Sequence, residues 1–555
     1  MGSEFNRTMT RRAMLGMLGV GGVTLAANMM APASAQAPSN DDKLNVLDFG
    51  AAGNGQKDDA LAIQKTLDAC AKAGGGTVYF PNGTYLLHSR VTVGHNTNLV
   101  GKAKLVKPYN NQIDILNLAG NHIEIDGLWM ENLNENAGIN INISRNSQHI
   151  VIRNCKFTGI RTQGIAMNAT GIAHVLIQDC LFDSVTYGVL CNYKADDLED
   201  LRIIGNQFLD IYGDAIELNS PITGTKKAIY ESAGNIIIAN NFISVPKGKG
   251  TGDTAGFGIG MAGVTRVSVI GNILKNCRYE AIHVEDNCRN ISITANIIDG
   301  VQDDPDNKLN SGIYVLNAEQ IAVIGNEIRN CKNYGVHFEY SKENQGNKAT
   351  IVGNNITNCG SGGIRYAGNK MSDAAISDNI ITDNAGSGIN LAGSSHSIQV
   401  KNNIVRANKS HGILLEESKM VSISGNTVYE NGGECIHVEK PTFSVPVGQS
   451  QTILNFGSSG NNSQWKIVGS LGIFAEGYIH LVAKQASLHC SKLFQLTWDE
   501  TNLKIKLLKE TGSGGIHISV PRMKSKQLEV NAYSETPTKV DLVLDVQYEG
   551  IIMLN

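Results

Sequence analysis

The chain has 555 residues, a net charge of −4 and only 18% charged residues, which excludes the basic excess that nucleic-acid binding requires. Its 60 glycines against 11 prolines and 6% aromatics exclude collagen and point to many tight turns. Ten cysteines spread over this length are no disulfide framework.

Met1 to Phe5 read as a cloning remnant. Arg11 and Arg12 then precede an uncharged run rich in Gly, Ala and Met that ends at Ala33-Ser34-Ala35 and Ala35-Gln36-Ala37. A basic start, a modest apolar run and an A-x-A site describe an export signal, and the paired arginines make it resemble the twin-arginine type. The Gly and Ala content is too weakly apolar for an anchor, so residues 1–37 are expected to be removed and the mature form to carry no membrane segment. Next come an amphipathic helix over Ala60 to Ala73, opened by Asp58 and Asp59, and a hydrophobic strand in GGGTVYFP.

From about Ile139 to Glu439 one phrase recurs, I-x-x-N-x-I, a short turn, then x-G-I-x-V-x, as in VIGNEIRNCKNYGVHFE (Val323 to Glu339). Its return every roughly 23 to 34 residues is the mark of a solenoid, and the alternation inside it predicts short strands. Asn240, Asn272, Asn296, Asn326, Asn354, Asn379, Asn403 and Asn426 share one slot, with Cys155 and Cys180 in earlier turns, while Cys277, Cys331 and Cys359 share another. Cysteines recurring at inward slots are packing residues. The expected fold over residues 38–440 is all-β: a right-handed parallel β-helix of about eleven coils with an N-terminal helical cap. After Glu439 the phrase stops, and the alternating segments of residues 441–555 predict a separate β-sandwich.

The opening pattern, DFGA-x-G-x-G-x-x-DD-x-x-AIQ followed by GGGTVYFP-x-GTY, resembles the N-terminal signature of the pectate-lyase-like β-helix superfamily. That superfamily holds polysaccharide hydrolases and lyases, alginate epimerases and phage tailspike depolymerases. The resemblance covers about Asn45 to Glu439, and implies a polysaccharide partner with no nucleic acid. The terminal domain resembles the trimerising or carbohydrate-binding tail of tailspikes, which implies a homotrimer or a sugar module; the plainer alternative is a cap on the last coil.

Aligning the x-G-I-x-V-x strands stacks one outward column as Asn140, Ala166, Leu190, Glu217, Gly260, His283, Tyr314, His337, Arg365, Asn390, Leu414 and His437. A second column contains Asn219, Glu285, Glu339, Glu416 and Glu439, and a third Tyr187, Asp214, Phe257, Glu280, Tyr334, His411 and Glu434. Ala215, Gly258, Ala281, Gly312 and Gly335 beside the column are expected to leave a groove floor open to a ligand. The longest insertions, Ser220 to Gly234, Val245 to Phe257, Gln302 to Ser311 and Glu339 to Lys348, border the same coils as walls.

Hydrolysis is the first reading: Glu217 with Glu285 or Glu280 two coils away, and Asp214 alongside, approach the roughly 6.5 to 9.5 Å gap of inverting enzymes. The alternative is β-elimination on a uronate-containing glycan, with His283 or Tyr314 as base, His337 as acid and Arg365 neutralising the carboxylate. Arg365, Glu339, Asn219, Tyr187 and Asn390 are the candidate substrate-binding residues. A non-catalytic glycan-binding spike or adhesin is the third reading. The epimerase motif Y-G-x-D-P-H is absent. QDDPDN lacks EF-hand spacing, so calcium is a minor possibility and no metal or other cofactor is expected. Glu416, Glu439 and His437 read as surface.

Overall fold

The computed structural model describes residues 43–109, 114–134, 138–192, 198–219, 233–245, 256–302, 310–340, 348–368, 372–393, 396–416 and 419–439, together with the later strands named below. The export-signal reading, the bulk of the four long insertions and most of QDDPDN lie outside the described residues. No described helix is long and apolar enough to cross a membrane.

Three parallel sheets form a β-helix, and the chain visits each once per turn. The first runs from Lys43–Asn45 to Lys419–Ser424 and the second from Asn54–Asp58 to Thr427–Tyr429, with 15 strands each. The third runs from Val91–Val93 to Ile436–Glu439 with 14 strands. The helix is therefore longer than the eleven coils expected from the repeat. Its earliest turns carry strands such as Thr97–Gly101 and Ile123–Asp126 without the asparagine phrase, so counting phrases misses them.

Inward Ile, Val, Leu and Phe residues of all three sheets merge into one continuous core. Each fully buried aliphatic side chain contributes about 1.5–3 kcal/mol. Identical residues stack where turns repeat, as in Phe157, Phe182 and Phe208, whose ring centroids are 4.8 and 4.6 Å apart. Over the first turn lies the helix Ala60–Lys72, burying Ile63, Leu67 and Cys70. Asp58 takes the Ala60 N–H, whereas Asp59 turns back to accept from Ala52 and Gly53.

At the bend from first to second sheet runs a buried ladder of Asn206, Asn241, Asn272, Asn296, Asn326, Asn354, Asn379, Asn403 and Asn426. Each internal Nδ2 donates to the next Oδ1 and to a carbonyl of the turn below; for Asn326 these are Asn354 at 2.9 Å and Ile293 at 2.9 Å. Each Oδ1 also receives the backbone N–H of the preceding asparagine. Asn241, not Asn240, occupies the ladder. Asn240 takes the left-handed residue before it (φ 55°), a place Gly271 and Gly325 fill in later turns. A shorter ladder, Asn384, Asn408 and Asn431, continues the Cys359 slot. Every cysteine described is unpaired.

The small residues beside the outward column face inward, contrary to the open floor expected. A Cβ on Gly258 would meet Leu274 at 2.7 Å and Cys277 at 3.1 Å, and one on Gly312 would meet Ile328 at 2.7 Å. They are small because side chains of the second sheet fill that space.

Beyond the helix, Ser444–Phe456, Leu542–Met553, Glu476–Gln485, Leu488–Asp499 and Asn502–Gly512 pair antiparallel in that order. Ser463–Ile467, Gln527–Ser534, Ile516–Ile518 and Arg522–Lys524 form a second antiparallel sheet. Replacing Asn326 by Ala strands the Asn296 N–H and the Ile293 carbonyl inside the helix. Such a change is expected to destabilise by roughly 3 kcal/mol, read as a lower midpoint of chemical denaturation.

Candidate functional site

Parallel pairing in the third sheet places Ala166, Leu190, Glu217, Gly260, His283, Tyr314, His337, Arg365, Asn390, Leu414 and His437 in one register column. Asn142, rather than Asn140, pairs with Ala166. Asn219 and Glu285 share a second column, and Glu339 stands beside His337. On the other flank lie Asp214 and Glu280, with Tyr187 one turn below Asp214, half-buried.

At the centre the rings of His283, Tyr314 and His337 follow one another along the helix axis, tilted by 49° and 71°, with centroids 5.3 and 5.0 Å apart. His283 is nearly buried between two carboxylates. Its Nδ1 lies 3.4 Å from Glu280, and its Nε2 lies 3.2 Å from Glu285, an ion-pair distance without hydrogen-bond alignment. Burial alone lowers this imidazole, but Glu280 and Glu285 outweigh it and lift the pKa to about 9. The His283 contact in turn holds Glu285 below the usual carboxylate range.

His337 is the opposite case. Both ring nitrogens are buried without a hydrogen-bond partner, and Glu339 is 3.7 Å from Nε2. Burial and then the Arg365 guanidinium push its pKa down to about 3, so the ring is neutral. The Tyr314 hydroxyl donates to Glu339 at 2.9 Å, and burial followed by Glu339 raises its pKa, keeping the phenol protonated. Arg365 sits 5.7 Å from the Tyr334 ring and 3.9 Å from Glu416. Asn390 is buried with Oδ1 unpartnered.

One end of the site holds a carboxyl pair. Asp214 accepts the N–H groups of Gly256 and Phe257, both at 2.7 Å, and hydrogen-bonds Glu217. Burial raises Asp214 to about 6, with the two N–H groups, Glu217 and His283 opposing. Asn219 donates to Glu217. Glu217 and Glu285 stand two turns apart in neighbouring columns, about 10 Å along the axis, as the repeat implied, with the Gly260 strand between them.

Two residues of the expected columns take part without having been assigned a role. The Phe257 ring lies 4.4 Å from His283 and over Gly260, where a Cβ would approach it to 3.2 Å. Tyr334 packs 5.1 Å from His337 and carries Arg365. Their signal was ring character in the third column beside acids and histidines. Among the described residues only His411, Glu434 and His437 group as metal-type side chains, away from this centre.

A family model described as right handed beta helix region matches residues 199–371 and 306–450, and a rhamnogalacturonase A/epimerase, pectate lyase-like model matches 43–111. The fold is thus a pectate-lyase-like right-handed β-helix. The chain is 26% identical over 464 residues to plasmin and fibronectin-binding protein A of Streptococcus pneumoniae (strain ATCC BAA-255 / R6), covering 71% of this chain and 58% of that protein. A 41-residue segment is 63% identical to alginate lyase 7 of Azotobacter vinelandii, covering 7% of this chain and 5% of that one. A 64-residue segment is 45% identical to the mannuronan C5-epimerase AlgE2 of Azotobacter vinelandii, covering 10% and 6%. The chain therefore spans 58% of the first relative's length and small parts of the other two.

The two histidines make opposite contributions to stability. His283, raised above the free value of about 6.5, adds stability that is present below that value and is lost as pH climbs through about 9. His337, lowered to about 3, favours the neutral form, so its folded state loses stability as pH falls below about 6.5. Imidazole NMR titration is expected to find His283 cationic and His337 neutral throughout pH 5.5 to 8, a range of roughly two and a half units lying between the two shifted values. Co-titration of the two rings near pH 6.5 contradicts this assignment.

Proposed function

We propose that this protein is a polysaccharide lyase that removes the C5 proton of a uronate and eliminates the glycosidic bond at O4. The observation carrying this reading is His337: neutral, with both nitrogens unpartnered, between the Tyr314 phenol and the Arg365 guanidinium. The short, high-identity matches to an alginate lyase and a mannuronan epimerase favour a uronate substrate.

Arg365 neutralises the uronate carboxylate, which makes the adjacent C5–H acidic. His337 takes that proton as the C5–H bond breaks. The C5 electron pair forms the C4=C5 double bond, the C4–O4 bond breaks, and Tyr314 protonates the departing oxygen. The imidazolium then returns its proton to the phenolate, whose raised pKa favours recapture. This exchanges the roles first assigned to the rings: His337 is the base, Tyr314 the acid, and His283 a fixed cation. Base and acid project from one sheet, so both reach the sugar from the same side. That arrangement suits uronates whose H5 and O4 share a face, mannuronate and glucuronate, over guluronate and galacturonate.

Hydrolysis is the second reading, and the hydrogen-bonded carboxyl pair of Asp214 and Glu217, with Asp214 raised to about 6 by burial, favours it. Export through the Arg11-Arg12 segment belongs to the proposal. So does a stacking of the two C-terminal sheets into a sandwich that trimerises the chain or binds sugar.

Mannuronan, polyguluronate and polygalacturonate should each be incubated with purified protein, following reducing ends and ultraviolet absorbance together. Both signals are expected to rise in step on mannuronan. His337→Ala and Tyr314→Phe should each slow the reaction by about 10²- to 10⁴-fold. New ends without absorbance mean hydrolysis and move the chemistry to Asp214 and Glu217. Polymer bound by the protein yet left intact means an adhesin.

A further inference from the structure

The sequence EAIHVE at Glu280–Glu285 returns as ECIHVE at Glu434–Glu439. Both copies lie in the third sheet, and His283 and His437 share one register column through Tyr314, His337, Arg365, Asn390 and Leu414. The local contact is also repeated: Nδ1 faces the glutamate three residues earlier, at 3.4 Å in the first copy and 2.9 Å in the second. Six turns separate them, about 29 Å along the helix.

The neighbours differ. His437 has Leu414 below it in the column and stands on the final strand of its sheet, so it lacks the phenol and second neutral imidazole that the first copy possesses. Instead the His411 ring stacks on His437 at 4.2 Å and 14°. The pair also fails as a metal chelate. Nearly parallel rings aim their nitrogen lone pairs side by side rather than at a common point, and His411 Nδ1 already accepts the Glu434 N–H at 3.0 Å. That bond leaves the proton of a neutral His411 on Nε2, as a donor.

Between the two copies the column offers sugar-binding chemistry. Asn390 holds a buried acceptor, Oδ1, that has no partner, and Arg365 leans toward Glu416 at 3.9 Å. An unpaired buried carbonyl of this kind costs stability unless a ligand hydroxyl reaches it.

We propose that Asn390, His411 and His437 form a distal subsite that holds the same acidic glycan chain two to four turns beyond His337. This rests on the uronate reading for the identity of the ligand. The protein then grips an extended stretch of polymer and favours long chains over short ones.

The test uses the full chain carrying His337→Ala, titrated by calorimetry with polymeric mannuronan and with its disaccharide, which is too short to reach His437 from the position of residue 337, four turns or about 19 Å away. The polymer is expected to bind at least about tenfold more tightly per site. Adding His411→Ala and His437→Ala should erase that advantage, and Asn390→Leu should reduce it, while far-ultraviolet circular dichroism confirms the fold. An advantage that survives the double change, an advantage abolished in the parent by a chelator, or no polymer binding by the parent overturns the subsite. Elimination by the unmodified protein is scored separately. If it splits no polyuronate but the length advantage follows His411 and His437, the lyase reading falls and the subsite stands.

Discussion

The register of the parallel stack governs everything else in this molecule. Each strand pairs with the equivalent strand one turn away, so a residue type placed once in the repeat is placed again directly above itself. The buried asparagine ladder enforces that registration from Asn206 to Asn426, because each amide must meet both its neighbour and a carbonyl of the turn below. A slip of one residue would bury isoleucine where a hydrogen-bonded amide belongs. The outward columns inherit the same precision, and the site consists of such columns.

Stacking also sets the electrostatics. Like residues placed one turn apart would repel if charged, and the column avoids this by alternating chemistry along the axis. His283 is flanked by carboxylates and carries charge, Tyr314 is neutral, His337 is neutral, and Arg365 carries charge again. Two histidines in one column are therefore shifted in opposite directions, one by the carboxylates that flank it and the other by burial and by the guanidinium next in its own column. Glu280 and Glu285 face the first. The second has burial and a guanidinium beside it, with Glu339 engaged by Tyr314. A cationic and a neutral imidazole thus stand within two turns of each other.

Much of this was legible in the sequence. The columns from Ala166 to His437 follow from the Gly-Ile phrase alone, and the paired strands reproduce them. The failures have local causes. In Ile139-Asn140-Ile141-Asn142-Ile143 the alternation is unbroken, so a shift of two residues keeps every isoleucine inward and the period cannot tell Asn140 from Asn142. Asn240 and Asn241 are adjacent and identical, and only the left-handed turn distinguishes them. Gly258 and Gly312 read as outward by alternation, but the chain enters the third sheet through a bend that buries two consecutive residues, as Ala215 and Ile216 show. Proton positions were not legible, since they depend on burial and on which columns lie side by side.

The same logic explains why the hydrolytic pairing weakened when the third dimension was added. From sequence, Glu217 and Glu285 looked like partners because they stand two coils apart on one face. In the fold Glu285 is engaged by His283, Glu217 is held by Asp214 and Asn219, and Phe257 covers the glycine between. A carboxylate already paired to an imidazolium is a poor base, and one hydrogen-bonded to a neighbouring carboxyl belongs to a separate local pair. The column also holds buried polar atoms without a hydrogen-bond partner: both ring nitrogens of His337, the Asn390 carbonyl, and His283 Nε2, which has only its ion-pair contact with Glu285. Such groups destabilise a fold that never meets a ligand. On the lyase proposal, a chain of sugars lying along this outward face would supply the partners these groups lack.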